Sequence, residues 1–325
     1  MMDLGRLRAL RAVAVHGSVG GAAAALGFTP SAVSQQISKL ERETRTVLLE
    51  RQGRGVVLTD AAQQLANTAQ QVLALVEQAE VTLEEQRGQA VGRLMVATFA
   101  TGARGLLPGA LAELRETCPE LDVRLLETDP YLAAELVARG EVDLALVQDW
   151  PTVPLPVQDG LARLDLGPDP VDLLLREEDP LAALTVVPVA RLCGRRWISV
   201  PPGNICHDWL VRTMREAGEE PDVHYQVGEF ETQIALIAAG LGVGLVPRLG
   251  RGTLPPGVVA RPVVPEPARR VFLLWRSQAS RRPAITAALS AVQRHWQPRP
   301  TAPAVPATPA VPATPEHTRL SPRNR

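Results

Sequence analysis

The chain has 325 residues, 46% of them hydrophobic, with 34 basic and 35 acidic side chains. That length gives room for two or three domains and a sizeable core. It holds no apolar run long enough for a membrane-crossing helix, and its N-terminus enters a helical pattern with no apolar signal core, so the cytoplasm is the expected location and no membrane partner is expected.

The near-neutral total hides an asymmetry. Residues 1–58 carry eight basic and four acidic side chains, a balance of +4, while residues 92–297 carry 21 and 25, a balance of −4. A basic N-terminal part suits contacts with phosphates. Leu4, Leu7, Leu10 and Ala14 repeat at helical spacing and predict a supporting first helix. A small-sided helix follows through Ala22, Ala23 and Ala25, closed by Gly27, where a residue free to take positive φ is needed. Thr29 then reads as an N-cap and Pro30 as the first residue of the next helix. Along that helix Val33, Ile37 and Leu40 share one face and are predicted to bury. Ser31, Ser34, Gln35 and Ser38 lie opposite, with Lys39, the chain's single lysine, near them. Glutamine bonds bidentately to adenine, serine reaches bases or phosphates, and a helix N-terminus favours a phosphate. Two helices joined this way are a common tool for reading the DNA major groove. Periodicity alone also fits a helical hairpin with a solvated polar face. Leu48 to Arg51 and Val56 to Leu58, around Gln52-Gly53-Arg54-Gly55, read as a β-hairpin wing with a basic tip.

From Thr59 to Arg87 the chain is Pro-free. Leu65, Ala69, Val72, Val76, Ala79 and Leu83 fall on one helical face. A helix of that length spans roughly 43 Å at 1.5 Å per residue, too long for one small domain to cover, so a partner helix and a homo-oligomer are expected. From Gly92 strands and helices alternate. Strands are predicted at 94–98, 123–127 and 142–147, with helices at 105–117 and 132–139. After Pro-rich 151–156 come strands at 171–175, 197–200, 224–227, 243–246 and 270–275, and helices at 208–217, 232–239 and 285–296. This pattern predicts an α/β domain of two subdomains over 92–297, with hinges near 151–165 and 262–270. The domains read as 1–58 for the reading head, 59–91 for the linker and dimerisation helix, 92–297, and a disordered Pro/Ala/Thr-rich tail at 298–325.

Ligands of open α/β units bind beyond the carboxyl ends of strands, in the cleft between halves. That rule selects Thr98, Phe99, Ala100 and Thr101, then Gln148, then Val200, Pro201, Pro202, Gly203 and Asn204, and finally Glu229, Phe230, Glu231 and Thr232 as effector-binding candidates. Thr98 and Thr101 have hydroxyls to offer a carboxylate. The glycine-rich 240–244 segment lacks the spacing of a phosphate loop and reads as a tight helix-to-strand turn. Cys118, Cys193 and Cys206 are odd in number and scattered, which argues against a disulfide framework. Cys206-His207 alone offers too few ligands for a metal, and neither metal nor cofactor is expected. His16, His207, His224, His295 and His317 form no motif with Ser, Cys or a carboxylate, so no catalytic residue and no enzyme is expected.

The N-terminal sixty residues resemble the LysR-type transcriptional regulators. The matching residues are Leu7, Ala22-Ala23, Leu26, Ser31 through Ile37, Leu40-Glu41, Leu48, Glu50-Arg51 and Leu58-Thr59. Arg45 stands where that family usually has glycine, Leu49 where it usually has phenylalanine, and Val19 replaces a common aromatic. The resemblance, carried on to residue 297, implies a fold in three parts: an N-terminal all-α winged helix-turn-helix, a long dimerising helix, and an effector domain similar to periplasmic binding proteins. It implies that Ser31, Ser34, Gln35 and Ser38 lie nearest the DNA, that Arg51 and Arg54 contact phosphates, and that Thr101 and the loop near Pro201 meet the effector. The implied partners are double-stranded operator DNA, a small-molecule effector and a second copy of the chain, with RNA polymerase as a further candidate. The competing reading is a small-molecule-binding protein with a degenerate DNA-binding domain.

Overall fold

The computed structural model describes residues 2–52 and 55–298. Arg54 and the Pro/Ala/Thr-rich segment from 299 onward lie outside the described residues.

Three helices open the chain: α1 (Leu4–His16), α2 (Val19–Leu26) and α3 (Pro30–Thr44). Each begins on a side-chain cap. Asp3 accepts from the Arg6 amide, Ser18 from Gly21 and Thr29 from Ala32. Gly17 and Gly27 close α1 and α2 in the left-handed conformation. Leu7, Ala9, Leu10, Ala12 and Val13 of α1, Ala22 and Ala23 of α2, and Val33, Ile37 and Leu40 of α3 form one core. Of the expected α1 stripe, Leu7 and Leu10 are buried and Ala14 packs half-buried against the core, while Leu4 is exposed and Ala9, Ala12 and Val13 complete the packed face. Ala25 of α2 is likewise exposed. The antiparallel hairpin of β1 (Leu49–Gln52) and β2 (Gly55–Leu58) forms the wing. Thr59 follows it, donating its hydroxyl to the Val47 carbonyl and accepting from the Ala62 amide. That cap starts α4 (Asp60–Arg87), whose Ala62, Ala66 and Ala69 bury in the same core. Further along α4, Leu75 and Leu83 are 65% and 57% exposed.

The remaining chain forms β3 (Gly92–Thr98), α5 (Ala100–Gly105), α6 (Leu107–Thr117), β4 (Leu121–Glu127), α7 (Pro130–Arg139), β5 (Leu144–Asp149), β6 (Leu161–Arg176), β7 (Val187–Pro188), β8 (Arg196–Ser199), α8 (Ile205–Glu216), β9 (Asp222–Gln226), α9 (Phe230–Ala238), β10 (Gly244–Pro247), β11 (Val258–Val264), β12 (Ala268–Arg276) and α10 (Pro283–His295). Strand order in the main sheet is β4-β3-β5-β12-β6-β11-β7, with β10 also on β6, and β8 pairs with β9. The helix expected over 105–117 is two helices broken at Leu106, because Pro108 has no N–H for a continuing helix and its ring crowds the preceding turn.

Strand β6 is the spine. Its residues 161–170 pair with β12 in the first half, and 171–176 pair with β10 and β11 in the second. The passage between halves therefore falls within a strand near Pro168 and Pro170. Leu166 and Gly167 form a bulge there, opposite Val271 and Phe272, and the two prolines beyond it pair with Arg270 and Ala268. β11 was not expected as a strand. Its Arg261 and Pro262 interrupt the apolar run that would have announced it.

Candidate functional site

Two places concentrate the sequence-selected residues. On α3, Val33, Ile37 and Leu40 are buried, while Ser31, Ser34, Gln35, Ser38 and Lys39 are exposed along the opposite side. Thr29 and Pro30, also exposed, stand at the helix start, the positive end of the helix dipole. The far end of α3 explains the Arg45 departure. Arg45 takes φ 52° and ψ 36°, the left-handed conformation a glycine would supply, and its amide bonds to the Glu41 carbonyl. The Glu41 carboxylate then accepts from the amides of Leu48 and Leu49 at 2.9 and 3.2 Å, fixing the wing against the helix. Leu49 and Val19 pack against the domain core. The three departures thus leave the helix end and the core of the head intact. Arg51 lies on β1 opposite Val56.

The second place is the junction of the two α/β halves. Thr98, Phe99, Thr101, Gln148, Val200 and Phe230 are buried there, and Ala100 is half-buried. Pro201, Pro202, Gly203, Glu229 and Thr232 are exposed at the rim, where the Thr232 hydroxyl donates to the Glu229 carboxylate at 2.9 Å. Asn204 caps α8 by accepting from the Cys206 amide. A cavity of about 10 Å³, close to the room one water needs, lies in the second half against Trp150. Val200 and Phe230 line it together with Trp150, Ser199, Cys206, Trp209 and Gln233. Trp150 and Trp209 stack with centroids 3.8 Å apart. The Gln148 amide donates to Cys206 Sγ at 3.3 Å, and its Oε1 is buried without a partner. Burial pushes the Cys206 thiol above its ordinary pKa.

The group missed from sequence is the buried pair of Arg269 and Asp169, 1% and 0% exposed. Arg269 Nε donates to Asp169 Oδ2 at 2.8 Å, and Nη2 donates to Thr101 Oγ1 at 2.5 Å. Asp169 Oδ1 accepts from the Leu249 amide at 2.8 Å. One pair thereby pins Thr101 of the first half, Leu249 of the second and both crossing strands. The mouth is clasped beside it. Arg104 Nε donates to the Gly250 carbonyl at 2.6 Å and pairs with Glu231 at 3.2 Å. Gly105 approaches Gly250 so closely that a Cβ on Gly105 would overlap the Gly250 backbone. Among the described residues no group of three or more His, Cys, Asp or Glu is arranged to hold a metal, and no single helix is long and apolar enough to cross a membrane.

A winged helix-turn-helix head on a long helix, joined to a two-lobed α/β domain with an inter-lobe cleft, defines a one-component transcriptional regulator. Residues 4–63 match the family model for bacterial regulatory helix-turn-helix proteins of the lysR family, and residues 87–297 match the LysR substrate binding domain. The chain is 30% identical over 284 residues to the DNA-binding transcriptional dual regulator OxyR of Escherichia coli K12, an alignment covering 85% of this chain and 90% of that protein. Its fold resembles a full-length OxyR variant from Pseudomonas aeruginosa, with TM-score 0.64 and 23% identity over 90% of this chain and 98% of that one. It also resembles full-length CbnR solved with its target DNA, with TM-score 0.55 and 21% identity over 90% of this chain and all of that one. The chain belongs to the LysR family of transcriptional regulators: it is a DNA-binding regulator with an effector-binding domain. The reading of a degenerate DNA-binding domain is set aside, because the head matches the family model throughout and Arg45 preserves the turn.

Proposed function

We propose that α3 reads operator base edges through Ser31, Ser34, Gln35, Ser38 and Lys39, with its N-terminus at Thr29 and Pro30 on a phosphate and with Arg51 and Arg54 on flanking phosphates. The observation that carries this is the division of α3 into a buried Val33/Ile37/Leu40 face and an exposed short polar face. Two heads are brought together by α4, whose exposed Leu75 and Leu83 supply a self-complementary apolar face. A small-molecule effector enters between the α/β halves among Thr98, Phe99, Ala100, Thr101, Gln148, Val200 and Phe230, with Pro201, Pro202, Gly203, Glu229 and Thr232 at the rim. The halves close on each other where Arg104 and Gly105 meet Gly250, so effector binding separates these contacts. That differential affinity for open and closed halves is what couples effector to DNA. The regulator works in the cytoplasm, where RNA polymerase is its downstream partner.

The test is retardation of the DNA upstream of its own gene by wild type and by Gln35→Ala. Wild type shifts this duplex in preference to unrelated DNA, and Gln35→Ala loses the preference. Equal retardation of both duplexes by wild type overturns the reading.

A further inference from the structure

Opposite the cleft, one side chain gathers the strands that leave it. Arg282, the residue before α10, is 11% exposed. Its Nε donates to Glu84 Oε2 of α4 at 2.8 Å, its Nη1 to Asp143 Oδ1 at 3.0 Å and its Nη2 to the Arg93 carbonyl at 2.8 Å. Asp143 uses its second oxygen to accept from the Met95 amide at 2.7 Å. Arg276 adds to the node, 3.6 Å from Asp143 and donating to the carbonyls of Val137 and Val142. Two arginines thus face two carboxylates in a partly buried cluster that joins the end of α4 to the starts of β3, β5 and α10.

The same two strands run from this node to the cleft. β5 and β12 are antiparallel neighbours, with Leu144 opposite Trp275 at the node end and Asp149 opposite Arg270 at the other. Arg270 grips buried Asp149 with two bonds of 2.7 Å. Beside that rung stand Gln148 and Arg269 of the cleft. The ladder is about 17 Å long at roughly 3.4 Å per residue, and ion pairs lock both ends. A planar guanidinium fixes direction as well as distance, because its donors lie in a rigid fork.

We propose that Arg282 is a positioning residue that couples the two lobes to the DNA-binding end. It holds the end of α4 to the β5–β12 ladder, so that a change at the cleft re-aims the long helix. This rests on the regulator reading above, and it adds the joint through which that regulation passes.

The experiment uses the full chain and needs no known effector. Gly105→Ala is a wedge: its new Cβ overlaps the Gly250 backbone and forces the lobes apart. Binding to the labelled upstream duplex is measured for wild type, Gly105→Ala, Arg282→Met, Glu84→Gln and the two doubles. The expected result is that the wedge changes affinity by at least about fivefold in the wild-type background, a typical coupling between sites. It changes affinity by less than about twofold in the Arg282→Met and Glu84→Gln backgrounds. A merely structural role lowers melting temperature without abolishing the wedge effect. An equal wedge effect in all backgrounds, or none in any, overturns the proposal. If wild type does not bind the duplex, the regulator reading fails, and hydrogen exchange over residues 80–95 without DNA decides the joint. The wedge must speed exchange there in wild type and leave it unchanged in Arg282→Met; the same response in both overturns the joint.

Discussion

Replacing Asp169 with alanine tests the pin between the lobes. Arg269 has 1% of its side-chain surface exposed, and the carboxylate that balances it, at 0%, would be gone. Breaking a buried pair by removing one partner costs about 3–5 kcal/mol, because the remaining charge has no compensation. Here the Leu249 amide also loses its acceptor. At about 2–4 °C per kcal/mol for a domain of this size, the effector domain should melt roughly 6–20 °C lower. All five tryptophans, Trp150, Trp197, Trp209, Trp275 and Trp296, lie in that domain, so their fluorescence follows its unfolding without the head contributing. The double variant Asp169→Ala/Arg269→Met removes both charges and should recover most of the loss. A single-variant loss below about 1 kcal/mol, or a double variant as damaged as the sum of the two singles, refutes the claim that this pair holds the lobes together.

Arg45→Gly should raise stability by less than about 1 kcal/mol. A left-handed non-glycine residue costs about 1–2 kcal/mol, and glycine's unfolded-state entropy returns part of the gain. Chemical denaturation followed by far-ultraviolet dichroism measures this, and a destabilised variant contradicts the strain assigned to Arg45. Tyr131 is pushed up to about 12 by burial and by its 3.0 Å bond to Asp208. Its folded-state pKa lies above the unfolded value, so its contribution to stability is complete below pH 10 and lost as pH rises from 10 toward about 12. Phenolate titration of the folded protein should show a step near 12 that Tyr131→Phe removes and Asp208→Ala moves down. Leu75→Gln/Leu83→Gln should weaken self-association at least tenfold, since burying one leucine contributes about 1.5–3 kcal/mol. Sedimentation equilibrium decides it, and an unchanged association constant removes these leucines from the interface.

Local rules read the head well. Thr29, Pro30 and Gly27 mark their helix ends by cap chemistry, and Val33, Ile37 and Leu40 mark their buried face by spacing. The same rules misplaced Leu4, which stands at the first residue of α1 and is exposed, while Leu7 and Leu10 pack with Ala9 and Val13. Failures in the effector domain have a common cause. Pro168 and Pro170 disguise β6, since proline normally argues against a paired strand, yet both pair with β12. Asp169 and Arg269 stand 100 residues apart, on strands whose pairing no local pattern announces. The strand-end rule found Thr98, Thr101 and Gln148, which sit where the lobes meet. It missed Trp150, Cys206 and Trp209 because the Trp150–Trp209 stack and the Gln148–Cys206 bond join residues far apart in the chain. Arg45 shows the opposite case: an unsuitable residue type is held in the required conformation by Glu41, which ties the helix end to the wing.

The central claim is that α3 reads sequence, and one titration tests it most directly. Wild type and Gln35→Ala are titrated by fluorescence anisotropy with the upstream duplex and an unrelated duplex, over a range of salt. Wild type should prefer the upstream duplex and weaken steeply with salt. Gln35→Ala should lose about 1–3 kcal/mol of that preference, with the same salt dependence and unchanged binding to unrelated DNA. Retention of the full preference by Gln35→Ala, or a wild type that binds both duplexes equally, contradicts it.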